Sequence, residues 1–224
     1  GPNGAGKSTV LSIVTRLIGG DGGEVIIEGK SLTNYSNKEL AKKIAILKQS
    51  NNITLKLTIR ELVGFGRFPY SEGNLTKEDE NYIDEAIEYM KLTDIQHKYL
   101  DELSGGQRQR AWIAMALAQQ TDILVLDEPT TYLDLAHQLE VLNLLEELNK
   151  KHGTTIVMVI HELNNAARFA HHMIGVKKGK IACEGSAHEV MTKENLRELF
   201  NIDAEIVEDP RSKKPVCITY DMIG

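Results

Sequence analysis

Cysteine is scarce in this chain of 224 residues, which holds only Cys183 and Cys217. They stand far apart, without the close spacing of a zinc site or a disulfide framework. That excludes a stapled secreted scaffold and fits free thiols in a reducing compartment. Long apolar runs are missing too. Runs such as Ile123 to Leu126 and Ile156 to Ile160 fall far short of the roughly 20 residues that cross a bilayer and have the length of buried strands. There is no surplus of basic charge: 26 Lys and Arg against 32 Asp and Glu leave a formal net charge of −6. That argues against nucleic acid as a partner. No internal repeat and no low-complexity segment is visible, so repeat arrays are excluded as well. A composition of 42% hydrophobic and 26% charged residues is that of an ordinary globular protein. The length allows one large domain, or a domain carrying a subdomain.

Two kinds of texture alternate along the chain. Glu24 to Gly29 reads as a short strand and turn, and Ile44 to Leu47 as another short strand. From about Leu57 to Gln120 the spacing is helical. Ile83, Ala86, Ile87 and Met90 mark one amphipathic helix, and Ala111, Ala114, Met115 and Ala118 mark a second. Strand and helix then alternate again. Ile123 to Leu126 and Thr155 to Ile160 read as strands, Leu139 to Leu148 and Leu163 to Ala170 as helices. Such alternation implies a parallel sheet, interrupted here by a helical insert. Pro215 to Tyr220 reads as an edge strand in an otherwise mixed tail.

The first residues, Gly1-Pro2-Asn3-Gly4-Ala5-Gly6-Lys7-Ser8-Thr9, fit the spacing G-x-x-x-x-G-K-[ST]. A glycine-rich turn of this length lets successive backbone amides point inward around a phosphate. Lys7 would reach the β- and γ-phosphates, and the Ser8 hydroxyl would ligate Mg²⁺. Val10, Leu11, Val14, Leu17 and Ile18 predict a helix that starts under the loop, with Gly19-Gly20 as its stop. A plain glycine-rich turn is the competing account. Ile123-Leu124-Val125-Leu126-Asp127-Glu128 is an apolar strand ending in two carboxylates. A parallel strand delivers its last residues to the ligand crevice. Asp127 would hold Mg²⁺ through water, and Glu128 would act as general base on an attacking water. An ordinary acidic pair at a strand end is the alternative. Ser104-Gly105-Gly106-Gln107 opens a further helix: Ser104 suits an N-cap, and the glycine pair bares the backbone as in a second anion site. This segment has no lysine of its own, which suggests that it serves a nucleotide held by another molecule.

Taken in order, these segments closely resemble the nucleotide-binding subunit of an ATP-binding cassette transporter. Leu103 to Gln107 matches that family's signature motif, Gly1 to Thr9 its Walker A and Ile123 to Glu128 its Walker B. The resemblance places Gln49 at the Q-loop, Asp134 in the D-loop (Thr131 to Asp134) and His161 at the switch histidine. It covers essentially the whole chain. It implies an α/β P-loop NTPase fold of the RecA-like kind, a parallel-sheet core with an inserted α-helical subdomain. The expected division is 1–56 and 120–188 for the nucleotide-binding core, 57–119 for the helical subdomain and 189–224 for a tail. The implied ligands are ATP and Mg²⁺, with Ser8, Gln49 and Asp127 toward the metal and Glu128, His161 and Gln49 in hydrolysis. The loop Gly1 to Thr9, the signature Ser104 to Gln107 and Asp134 are implied to contact nucleotide.

The resemblance further implies a head-to-tail homodimer, each ATP clamped between one subunit's loop and the other's signature. It implies integral membrane permeases as partners, an extracellular or periplasmic substrate-binding protein acting indirectly, and a peripheral place on the cytoplasmic face of the membrane. Family members carry strands upstream of the loop and an aromatic residue that stacks on adenine, so the chain is expected to be a piece of a longer protein. Two departures are Tyr132, where the D-loop residue is often smaller, and Glu162, where the family commonly has Asp. The segment Leu57 to Tyr70, ending Gly66-Arg67-Phe68-Pro69-Tyr70, lies where the family docks on its permease. With Thr131 to Asp134, His137-Gln138-Leu139-Glu140 and the tail Asp203 to Tyr220, it looks like the ATPases of iron–siderophore importers. Importers of cobalamin or haem, and soluble cassette proteins outside transport, are the alternatives.

Overall fold

The structure, a computed structural model, describes residues 1–48 and 56–223. It contains two compact units, Ile13–Met158 and a second formed by Gly1–Ser12 with Val159–Gly224.

The first unit is built on strands Ile44–Leu47, Ile123–Asp127 and Thr155–Val159, which lie side by side in that order, the last reaching the unit's border. Ile44 to Leu47 run parallel to Ile123 to Leu126. This is the parallel sheet that the alternation of strands and helices calls for. Ala45, Leu47, Leu124, Val125 and Leu126 are buried, the near-continuous apolar run of a strand covered on both faces. Helices Ile59–Gly64, Lys77–Tyr89 and Gly105–Ala118 share one core with it, through Ile59, Leu62, Val63, Ile83, Ile87 and Ile113. Each fully buried side chain of this size contributes about 1.5–3 kcal/mol. All three helices begin with reciprocal capping boxes, Thr58 with Glu61, Thr76 with Asp79 and Ser104 with Gln107.

Within 57–70, two residues turn inward. Gly66 lies so close to the Gly105–Ala118 helix that a methyl group on it would stand 2.0 Å from the Met115 carbonyl oxygen. Arg67 is buried: its Nε donates to Asp79 Oδ1 at 2.8 Å, its Nη1 to the Ala118 carbonyl at 2.8 Å, and its guanidinium stacks on Tyr70 and Tyr82. Phe65 and Phe68 are exposed. Arg67 is therefore a strut of the fold, and the apolar surface of this segment comes from the two phenylalanines.

Several boundaries differ from the sequence expectation. The helix after the loop spans Lys7–Val14, and Arg16, not Gly19-Gly20, turns left-handed (φ 58°) after it. The Arg16 guanidinium donates to the carbonyls of Leu32 and Tyr35 at 3.1 and 2.6 Å, which holds that turn and leaves Leu17 and Ile18 outside the helix. Ile26–Ile27 pairs antiparallel with Lys30–Ser31 around Glu28 and Gly29, both left-handed, the backbone of a tight hairpin. The helix seen at Leu139 to Leu148 runs from Leu135 to His152.

In the second unit, strands Met173–Lys177 and Lys180–Gly185 form a hairpin whose turn is Lys178-Gly179, again both left-handed. Helix Lys193–Phe200 packs through Leu196 with Ala167, Ala187, Met191, Ile202 and Ala204. The strand expected at Pro215 to Tyr220 spans Pro215–Met222 and pairs antiparallel with Ile202–Glu208. Asn164 anchors this ribbon by accepting from the Cys217 amide (2.9 Å) and donating to its carbonyl (3.0 Å).

Candidate functional site

The glycine-rich loop belongs to the second unit. Gly4 (φ 72°) and Gly6 (φ 101°) are left-handed, the conformation that only glycine adopts without strain. Gly1 is needed for another reason: a Cβ there would stand 1.8 Å from the Val176 carbonyl oxygen. The hairpin turn also donates from the Gly179 amide to the Ala5 carbonyl at 2.9 Å, so backbone holds the loop from two sides. Lys7 Nζ donates to the carbonyls of Gly1 (2.8 Å) and Pro2 (2.9 Å), which keeps the ammonium over the loop. The helix beginning at Lys7 directs its amides and the positive end of its dipole toward the same loop. Ser8 and Thr9 are exposed on its first turn. A Cβ on Gly4 would meet nothing within 4 Å, so the loop is open on that side. This cradle of amides with one ammonium is chemically suited to a polyphosphate. His161, also in this unit, is exposed just beyond strand Thr155–Val159.

The first unit carries the other candidates. Asp127 ends the central strand. Glu128 follows it in the left-handed region (φ 55°), an uncommon conformation for a residue with a side chain and one that concentrates at functional sites. The Thr131 hydroxyl donates to Glu128 Oε2 at 3.1 Å and orients the carboxylate. Tyr132 (φ 66°) is fully exposed. Asp134 caps helix Leu135–His152, and both its oxygens lie 2.8 Å from His137 Nδ1. The His137 backbone amide first, and then its ring, hold the Asp134 carboxyl below the usual carboxylate range.

Ser104 caps helix Gly105–Ala118, accepting from the Gln107 amide at 3.2 Å while Gln107 Oε1 accepts from the Ser104 amide at 3.1 Å. Ser104 and Gly105 are exposed, and buried Gly106 faces the His137 ring. The structure thus brings Ser104, Gly105, Gly106 and Gln107 together with Asp134 through His137, and places Asp127 and Glu128 on one strand end. Gln49 lies outside the described residues. The sequence reading assigned no role to His137, to the Arg110–Glu140 ion pair or to the hairpin under the loop. His137 and Glu140 stood within a noted subtype motif, whereas nothing in the spacing marked Val176 or Gly179.

Among the described residues no group of three or more His, Cys, Asp or Glu side chains is arranged to hold a metal ion. The Ser8 hydroxyl and the Asp127 carboxylate are each, taken singly, an oxygen donor of the type Mg²⁺ accepts, an ion that takes most of its ligands from phosphates and water.

Residues 1–131 match the family model described as ABC transporter. The chain is 54% identical over 225 residues to the iron(3+)-hydroxamate import ATP-binding protein FhuC of Bacillus subtilis, covering 100% of this chain and 84% of that protein. It is 52% identical over 206 residues to the petrobactin import ATP-binding protein YclP of the same organism, covering 92% and 82%. Among solved structures, a dimeric ATP-binding cassette in a post-hydrolysis state bound to ADP and Pi superposes with a TM-score of 0.71 at 35% identity, covering 83% of this chain and 82% of that one. This chain belongs to the ABC transporter family, as one of its ATP-binding cassettes.

Proposed function

We propose that this chain is the ATP-hydrolysing subunit that powers import of iron–siderophore complexes. The observation that carries the reading is its likeness to ATP-binding proteins named for import of a ferric hydroxamate, over 100% of this chain, and of petrobactin, over 92% of it. The chain works as a homodimer on the cytoplasmic side of integral membrane permeases. Among the described residues no helix is long and apolar enough to cross a membrane. An extracellular or periplasmic binding protein supplies the cargo, and nucleic acid is no partner.

In this reading the loop Gly1 to Thr9 wraps the phosphates of ATP, and Lys7 exchanges its two carbonyl contacts for phosphate oxygens. Ser8 and Asp127 would hold Mg²⁺, with Gln49 beside them. Bound there, Mg²⁺ would supply positive charge against the negative charge that develops on the phosphates. Glu128 takes the proton of the attacking water, its carboxylate aimed by Thr131. His161 and Gln49 sense the γ-phosphate. Ser104, Gly105, Gly106 and Gln107, with Asp134, serve the nucleotide held by the other subunit, which accounts for an exposed anion-binding helix start that has no lysine.

Uptake of radiolabelled ferric hydroxamate and of labelled cobalamin tests the reading in cells carrying either the intact protein or its Glu128→Gln variant. Loss of a general base costs on the order of 10²–10⁴ in rate, so ferric uptake should collapse while cobalamin uptake persists. Unchanged ferric uptake beside lost cobalamin uptake would overturn the cargo, and near-normal ATP turnover by Glu128→Gln would overturn the assignment of the base.

A further inference from the structure

His137 lies on the first turn of helix Leu135–His152 and makes contacts in two directions. Toward its own N-terminus it engages the cap. Asp134 Oδ1 accepts from the His137 amide at 2.9 Å, and Nδ1 lies 2.8 Å from both Asp134 oxygens. A capping aspartate needs only the amide. The imidazole adds a second, directional constraint, with Nδ1 donating, and so fixes the rotation of the carboxylate as well as its position. Toward the neighbouring helix the ring lies on bare backbone. A Cβ on Gly106 would stand 2.5 Å from His137 Cδ2 and 2.9 Å from Cγ, so the ring occupies the space a side chain would take.

The same two helices meet again one turn along, where Arg110 forms an ion pair with Glu140. Arg110 is largely withdrawn from water, and its Nε is buried without a hydrogen-bond partner among the described residues. The Arg110–Glu140 contact joins the helices as bodies. Of these two contacts, the His137 one joins residues that the proposed function assigns to nucleotide.

We infer that His137 is a positioning residue that locks the Asp134 carboxylate to the helix start at Ser104-Gly105-Gly106, so that both move as one piece. The inference rests on the proposed role of those two segments in closing on the nucleotide of the other subunit. Asp134 and the signature amides stand at the starts of two different helices, which without a link between them have the freedom to shift against each other. A single side chain that touches both removes that freedom before nucleotide arrives, which lowers the cost of closure. Asparagine places an amide nitrogen where Nδ1 lies but has no ring. Leucine keeps bulk over Gly106 but has no donor. The two substitutions therefore separate the hydrogen bond from the packing.

The intact protein with His137→Ala, His137→Asn or His137→Leu decides the matter through steady-state ATP hydrolysis, affinity for a fluorescent ATP analogue and thermal unfolding. A lost oriented hydrogen bond should lower kcat about tenfold in His137→Ala. Affinity of the subunit for the analogue should stay unchanged, because the loop that holds it is untouched. His137→Asn should recover most of the turnover and His137→Leu little. Should His137→Ala fail to fold, the contrast between Asn and Leu carries the same decision. Parental turnover in His137→Ala, or equal turnover in the Asn and Leu variants, overturns the inference alone. An intact protein that does not hydrolyse ATP overturns the proposed function together with it.

Discussion

The loop Gly1–Gly6 and the turn Ser104–Gly106 are both glycine-rich entries to a helix, yet they are held in opposite ways. Backbone fixes the first: two left-handed glycines, a close approach to the Val176 carbonyl and a hydrogen bond from the Gly179 amide. Lys7, which follows it, bonds to carbonyls of that loop. Side chains fix the second: the reciprocal box of Ser104 and Gln107, and the ring of His137 over Gly106. A cradle made of backbone accepts any polyphosphate of the right size and is ready before it binds. A helix start tuned by side chains can be linked to other elements. The contrast fits a chain in which one segment holds nucleotide and the other responds to nucleotide held elsewhere.

The sharpest way to break this comparison is to damage each segment in a different subunit. Lys7→Ala alone and Ser104→Arg alone should each cost on the order of 10²–10³ in ATP turnover, the scale for losing one preorganised group at a developing charge. In a two-fold dimer each mutant is defective at both sites. Mixing the two confines both lesions to one composite site in a mixed dimer and leaves the other site intact, so turnover should reappear on mixing. Undiminished activity of either mutant by itself would show that the two segments do not form a shared site.

A smaller effect separates the two kinds of glycine. Gly1→Ala would press a methyl group into a carbonyl that belongs to a strand, and such overpacking costs about 1–3 kcal/mol. Gly105→Ala would bring a Cβ to 3.8 Å from Leu133 Cδ2, an ordinary contact in a helical position, and should leave stability unchanged or slightly raised. Urea denaturation of both variants of the intact protein measures the difference. Equal midpoints would show that backbone contact does not hold the loop.

The same contrast explains how much was legible in the sequence. Backbone requirements leave glycines at fixed spacing, so Gly1, Gly4 and Gly6 stood out, as did the capping serine and the apolar strand ending at Asp127 and Glu128. A parallel sheet followed from the alternation of strands and helices, and Ile44–Leu47 indeed runs parallel to Ile123–Leu126. What supports the loop from outside was not legible. The approach of Val176 and Gly179 involves carbonyl and amide groups that every residue carries, so no residue type marks it. The end of the first helix was misread for a related reason. Two glycines looked like the stop, but long-range bonds from Arg16 to the carbonyls of Leu32 and Tyr35 hold the turn earlier. The motif at Arg67 looked like a surface for a partner, whereas its guanidinium is enclosed by Asp79, Tyr70 and Tyr82. Residue type announced chemistry, and only the fold decided which way a side chain faced.

The smallest expected effect compares the two caps on the side-chain-held half. Ser104→Ala removes one acceptor at an exposed helix start and should cost about 1 kcal/mol. That cost should be independent of pH, because serine does not titrate in the accessible range. Asp134→Ala removes a carboxylate whose pKa is held low by the His137 amide and then its ring. A depressed pKa stabilises the folded state at pH values above the carboxyl's unfolded value, and this contribution is lost as pH falls through the folded value. At neutral pH both variants should therefore melt below the parent. In more acidic solution the gap for Ser104→Ala should persist, while that for Asp134→Ala shrinks once the carboxyl is protonated in both states. Denaturation midpoints of the three proteins across that range are the measurement. A constant gap for Asp134→Ala down to the most acid condition would mean that its cap does not depend on the ionised carboxylate.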